Sequence, residues 1–202
     1  MTNSRDALES AVAFIEGRLA PLDFETELAV NAQLEKFLLE LPPIQPYSSP
    51  NFSLYHYLIG LNYSDPGDLI NAQDAIAKGL LQCDVDVKPS TQQAQFFDLL
   101  LSAQPGWLSA DTAYLASLLS DAPTDLSHKE LRSWLRKRIL ELFRYTSKPP
   151  RWIQSPDWPI GAKGPLVFLG QINLPNYFHD QASVFVFHDP ASGECKNIIQ
   201  VE

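Results

Sequence analysis

Gly164-Pro165-Leu166-Val167-Phe168-Leu169-Gly170-Gln171-Ile172, followed by Val184-Phe185-Val186-Phe187-His188-Asp189-Pro190-Ala191-Ser192-Gly193-Glu194, decides the fold of this chain. Both apolar runs are bounded by Pro and Gly and are too short for helices, so they read as strands. The second meets a third run, Cys195 to Val201, across an Asp-Pro-Ala-Ser-Gly turn suited to closing a hairpin. Alternation sends Phe185 and Phe187 to one side and Val184 and Val186 to the other, so both faces are apolar and the sheet needs helices to cover it. Gly161-Ala162-Lys163-Gly164 has neither the preceding strand nor the following helix of a phosphate loop and reads as a hairpin-like turn.

Upstream, from Asp6 to about Tyr145, the pattern is helical and punctuated by turn chemistry. Phe24 through Leu41 carries Leu28, Leu34, Phe37 and Leu38 at helical offsets and ends at Pro42-Pro43. Asp65-Pro66-Gly67-Asp68 turns the chain, with Asp68 placed to accept from the first N–H groups of a helix reaching about Leu81. Residues 83–90 alternate Val85 and Val87 with charge and could form a short edge strand. Ser90 or Thr91 caps a following helix, Ser109 opens the next, and Ser127 with Glu130 forms a capping box ahead of Leu131, Trp134, Leu135 and Ile139. The expected class is α+β: six or seven helices in residues 1–148 packed on an antiparallel meander of about three strands in 149–202. Trp134, Trp152 and Trp158 are expected to join the two parts within one integrated domain.

Composition narrows the function. The chain has 202 residues, is 45% hydrophobic, and contains no apolar run near the roughly 20 residues needed to cross a bilayer. Its polar, acidic start without a basic leader points to the cytoplasm. Cys83 and Cys195 match no metal or redox spacing and are expected to be reduced and buried. Residues 1–128 hold 17 Asp and Glu against 5 Lys and Arg, while residues 129–202 hold 7 against 10. An acidic body repels nucleic acid and anionic membrane and steers toward a basic partner, although such a charge also serves solubility.

Several groups could carry chemistry. His179-Asp180 and His188-Asp189 pair imidazole with carboxylate, as a metal or proton-transfer site would, yet neighbours on a strand diverge and Asp189 suits the turn it opens. No nucleophile lies in an elbow motif, and no cofactor is implied. Arg132, Arg136, Lys137, Arg138, Arg144, Lys148 and Arg151 form one basic stretch, read as a solvated helix flank rather than a nucleic-acid platform. The rigid Trp152–Trp158 loop could plug a core or anchor a partner. Asp23, Glu25, Glu27, Asp65 and Asp68, with Tyr55, Tyr57 and Tyr63, would give a charged rim around an aromatic centre.

Trp152-Ile153-Gln154-Ser155-Pro156-Asp157-Trp158-Pro159-Ile160, the Gly164–Gln171 segment and the Phe187–Glu194 turn resemble the C-terminal signature of bacterial immunity proteins encoded beside secreted polymorphic or contact-dependent toxins. Phe24 to Leu38, the Asp65–Gln73 segment and Ser102-Ala103-Gln104-Pro105-Gly106-Trp107 are also similar to that group, so the likeness covers most of the chain. The resemblance implies a protein without catalytic residues that binds and blocks a cognate toxin domain, with a basic nuclease domain fitting the acidic body. The competing readings are a hydrolase or metal-dependent enzyme using His179, His188 and nearby carboxylates, and an interaction scaffold with no toxin partner.

Overall fold

The computed structural model describes residues 2–174 and 181–202, with side chains from residue 7 onward. It is an α+β protein, with eight α-helices, a 3-stranded antiparallel sheet and a small 2-stranded hairpin among the described residues. The chain divides into two compact units, Met1–Asp98 and Leu99–Glu202. The boundary falls inside a helix rather than at the helix-to-sheet join near residue 148.

The first unit is helical: α1 (Thr2–Ile15), α2 (Pro21–Val30), α3 (Ala32–Glu40), α4 (Leu54–Leu58) and α5 (Pro66–Leu81), followed by the start of α6 (Gln92–Ala103). The expected single helix over Phe24–Leu41 is in fact two. Asn31 is extended (φ −92°, ψ 92°), and its Oδ1 accepts from the N–H groups of Gln33 and Leu34, so it caps α3 and breaks the helix before it. At α5 the cap is Asp65, which accepts from Gly67 and Asp68 N–H, with Pro66 at the first helical position. Asp68 does not cap the helix, because its carboxylate accepts from Asn62 N–H at 2.9 Å. Residues 83–90 form no strand. With no neighbour to complete a ladder, Val85 and Val87 pack against the helical core instead.

Phe14 and Phe24 stack at 4.1 Å in the middle of that core, with Tyr63 tilted against both. Gly79 sits where a Cβ would lie 2.9 Å from Ile44 Cδ1 and 3.1 Å from Leu41 Cδ1, so a side chain there must push the ends of those two buried side chains aside.

The second unit holds the end of α6, then α7 (Thr112–Leu118), a 3₁₀ turn over Leu119–Asp121, and α8 (His128–Leu142). The helix placed after Ser109 is capped by Asp111, whose side chain accepts from Tyr114 N–H. The Ser127–Glu130 capping box opens α8 as expected. A hairpin, β1 (Ile160–Gly161) with β2 (Gly164–Pro165), closes through Ala162 and Lys163. The sheet is β3 (Val167–Asn173), β4 (Ala182–His188) and β5 (Cys195–Val201), in the order β3-β4-β5. Asp189 Oδ1 accepts from Ala191 N–H, and Gly193 takes φ 78°, closing the β4–β5 turn.

One face of the sheet is covered. Phe168, Phe185 and Phe187 lie against Trp152 and Trp158, and Trp158 in turn touches Phe143 and Trp107. The expectation that both faces are covered fails on the other side. There the in-register row Ile172, Val184, Ile199 leaves Ile172 and Ile199 exposed among the described residues. Trp134 joins no aromatic cluster among the described residues, and Trp107 takes the place expected of it. Both cysteines are exposed rather than buried: Cys83 lies in the turn after α5, and Cys195 faces outward at the start of an edge strand.

Candidate functional site

Of the five acidic residues singled out in the sequence, Asp23, Glu25 and Glu27 lie on α2, whereas Asp65 caps α5 and Asp68 lies in its first turn. Pro21 fixes the first helical φ, and Asp23 in the first turn complements the helix dipole. Successive residues are rotated by about 100° around the axis. Phe24 and Leu28, one turn apart, point to the core and are buried. The opposite face then carries Leu22, Thr26, Ala29 and Val30, all exposed, with Leu22 at 59% and Val30 at 76%. Asp23 and Glu27 fall on one flank of this stripe and Glu25 on the other. No described Lys or Arg lies within salt-bridge distance of these three carboxylates. Glu27 Oε2 is buried and has no hydrogen-bond partner. The helix is thus apolar on both sides, and its outer apolar stripe runs between unpaired carboxylates.

The tyrosines do not line that stripe. Tyr55, half-buried on α4, donates its Oη to Leu28 O at 3.3 Å and satisfies one of the carbonyls at the end of α2. Tyr63 is 3% exposed, donates to Leu58 O and completes the Phe14–Phe24 cluster, so it belongs to the core. Its burial, with Glu25 as the largest neighbouring charge, pushes the phenol well above its ordinary range. Tyr57 packs on Tyr47 at 5.2 Å and is raised by burial and by Asp68 and Asp74. Tyr47 in turn donates to Asp74 Oδ2 at 2.5 Å and is pushed up to about 12, by burial first and then by that hydrogen bond. Burial opposes ionisation of Asp74, but hydrogen bonds from Lys78 Nζ and Tyr47 Oη hold its carboxyl below the ordinary value. Asp65 is engaged as the α5 cap, so of the eight residues proposed for this unit the exposed, uncommitted ones are Asp23 and Glu25, with half-buried Glu27 beside them.

Trp152 and Trp158 belong to the other unit. Trp158 is buried, donating its indole N–H to Leu166 O, and Trp152 lies 4.6 Å from Phe185 with its N–H on Trp107 O. Gln200 secures this loop: its Oε1 accepts from Ile153 and Gln154 N–H, and its Nε2 donates to Ser155 O. The core reading therefore holds for Trp158, and Trp152 is half-buried against the sheet. In the basic stretch, Arg136 Nη1 reaches the carbonyls of Ala103 and Gln104 at the end of α6, and Arg138 pairs locally with Glu141. His179 and Asp180 lie outside the described residues. His188 is half-buried at the end of β4, and among the described residues no three His, Cys, Asp or Glu converge as metal ligands would.

Sequence reasoning missed Leu22 and Val30. Their signal was present: two large apolar residues eight apart and out of phase with Phe24 and Leu28 mark a second stripe on the same helix. Compared with known proteins, the chain matches no family model, and neither a curated sequence nor a solved structure is significantly similar to it.

Proposed function

We propose that the chain is an immunity protein that binds a cognate toxin domain and neutralises it by occlusion, using the outer face of α2. The observation that carries this reading is the exposed apolar stripe Leu22, Ala29 and Val30 set between Asp23, Glu27 and Glu25. An interface needs an apolar centre that sheds water and a charged rim that selects its partner, and this helix supplies both. The resemblance of the Trp152–Ile160 and Phe187–Glu194 segments to immunity proteins points to the same class of function. The sign of the rim selects a partner with a basic surface, as a nuclease domain has where it meets phosphate.

The test is complex formation with the product of the reading frame adjacent to its own gene. Wild-type protein is expected to bind that product and abolish its toxicity, whereas Leu22→Asp with Val30→Asp weakens the complex by at least a hundredfold. Both positions are exposed, so the fold survives the change. Unaltered affinity in that variant removes α2 from the interface, and a neighbouring product that never binds removes the immunity reading.

A further inference from the structure

The second unit carries an open groove of about 380 Å³ beside β3, lined among others by Lys148, Pro149, Arg151, Gln171 and Asn173. Its origin lies in the backbone. Residues 144–146 begin to pair with β3: Phe168 N–H donates to Arg144 O, and Thr146 N–H to Phe168 O. Pro149 and Pro150 have no N–H and steer the chain away, so the pairing stops after one bridge. On the other side of β3, Leu174 N–H donates to Ala182 O, which makes 172/184 and 170/186 the hydrogen-bonded pairs of the β3–β4 ladder. The N–H and C=O groups of Gln171 and Asn173 therefore point away from β4, into the groove, and no described group bonds to them. Lys148 and Arg151 are exposed there, neither forms an ion pair among the described residues, and the lining contains no carboxylate.

We propose that this groove binds an extended peptide segment carrying acidic side chains, which adds as a strand to the edge of β3. Gln171 and Asn173 each offer one donor and one acceptor, the complement of a peptide backbone. A phosphate or a nucleic-acid backbone would use the donors and leave both carbonyls unpaired. Lys148 and Arg151 select carboxylates on the bound strand. The site is independent of the α2 face and of opposite charge preference, so its test stands apart from the immunity reading.

The experiment uses the full chain, ¹⁵N-labelled, titrated with a blocked seven-residue peptide of alternating Val and Glu. The amide resonances of Gln171 and Asn173 are expected to shift. Lys148→Glu with Arg151→Glu should weaken binding at least tenfold. Both Gln171→Pro and Gln171→Ala lose the Oε1 that accepts from Arg151 N–H at 2.8 Å, but only Gln171→Pro also removes an outward N–H, without touching a β3–β4 bond, so it should weaken binding several-fold more than Gln171→Ala. Shifts confined to other amides, equal binding of a Val and Lys peptide, or no binding at millimolar peptide overturns the proposal. So does inorganic phosphate reproducing the same shifts and displacing the peptide, which would make the groove a simple anion site.

Discussion

Trp158 shows how one side chain can hold a unit together. It is 5% exposed, contacts Trp107, Phe143, Phe168 and Phe187, and spends its single donor on Leu166 O at 2.9 Å. Trp158→Ala removes the packing and leaves that carbonyl unpaired, so a loss of about 3–5 kcal/mol is expected in urea unfolding followed by near-UV circular dichroism. Trp158→Phe keeps most of the ring contacts and should cost about 1–3 kcal/mol. Equal losses for the two variants would show that the ring contacts Phe keeps contribute nothing and that the whole effect lies in the hydrogen bond and the indole's extra bulk. The tyrosines give a second expectation. Burial raises Tyr47, Tyr57, Tyr63 and Tyr114, Tyr47 to about 12. These phenols stay neutral in the folded chain while unfolded tyrosine ionises near pH 10. Stability from them is complete below about pH 10 and is lost as pH rises toward 12. Absorbance at 295 nm should show these ionisations delayed in the native protein and merged near pH 10 in urea. A native titration identical to the unfolded one defeats the assignment.

At the scale of elements, Asn31 is the joint between α2 and α3, and Asn31→Ala should cost about 1 kcal/mol through loss of the α3 cap while leaving both helices in place. A larger effect belongs to the sheet. Truncation after residue 148 removes Trp158 from Phe143, together with the Phe168 and Phe187 rings packed on Trp158, and so uncovers Phe143 after α8 and its partner Tyr114 on α7. Hydrogen exchange should then show α7 and α8 unprotected, while α1, α3 and α5, packed around their own core of Phe14, Phe24 and Ile76, keep protection. Protection retained in α8 would mean that the sheet is dispensable. The strands and the capping box were legible because their signals are local: Asp189 and Gly193 build a turn, and Ser127 and Glu130 satisfy each other. The α2–α3 break was illegible because the apolar spacing runs unbroken through Asn31, and only the tertiary direction of α3 makes a cap preferable to another helical turn. Trp107 was overlooked for a similar reason: it sits in a Pro-Gly loop with no periodicity, and its partners Tyr145 and Trp158 are distant in sequence. On the candidate face, the carboxylates were found from charge alone. Sequence does not say which side of a helix is already covered, and so gives no sign that Tyr63 belongs to the core while Tyr55 and Tyr57 stay half-buried.

For the whole molecule, the distribution of charge follows the division into units. Met1–Asp98 holds 14 Asp and Glu against 5 Lys and Arg, whereas Leu99–Glu202 holds 10 of each, so the formal net charge of −9 belongs entirely to the helical unit. Three of that unit's cations are already paired: Arg18 with Glu9 and Glu16, Lys36 with Glu40, and Lys78 with Asp74. The field that remains comes from carboxylates such as Asp23, Glu25 and Glu27, around the apolar stripe of α2. Long-range attraction of this kind accelerates encounter, while the desolvated centre of an interface governs how long a complex lasts. The two contributions should therefore separate by kinetics with the toxin proposed as partner. Asp23→Asn, Glu25→Gln and Glu27→Gln together should lower the association rate about tenfold at low salt with little change in dissociation. The difference should vanish near 1 M salt, where the screening length is about 3 Å. Leu22→Ala with Val30→Ala should do the reverse, raising the dissociation rate and leaving association nearly unchanged. An association rate indifferent both to salt and to the three amide substitutions would refute steering by the helical unit, and a dissociation rate indifferent to Leu22 and Val30 would refute docking on α2.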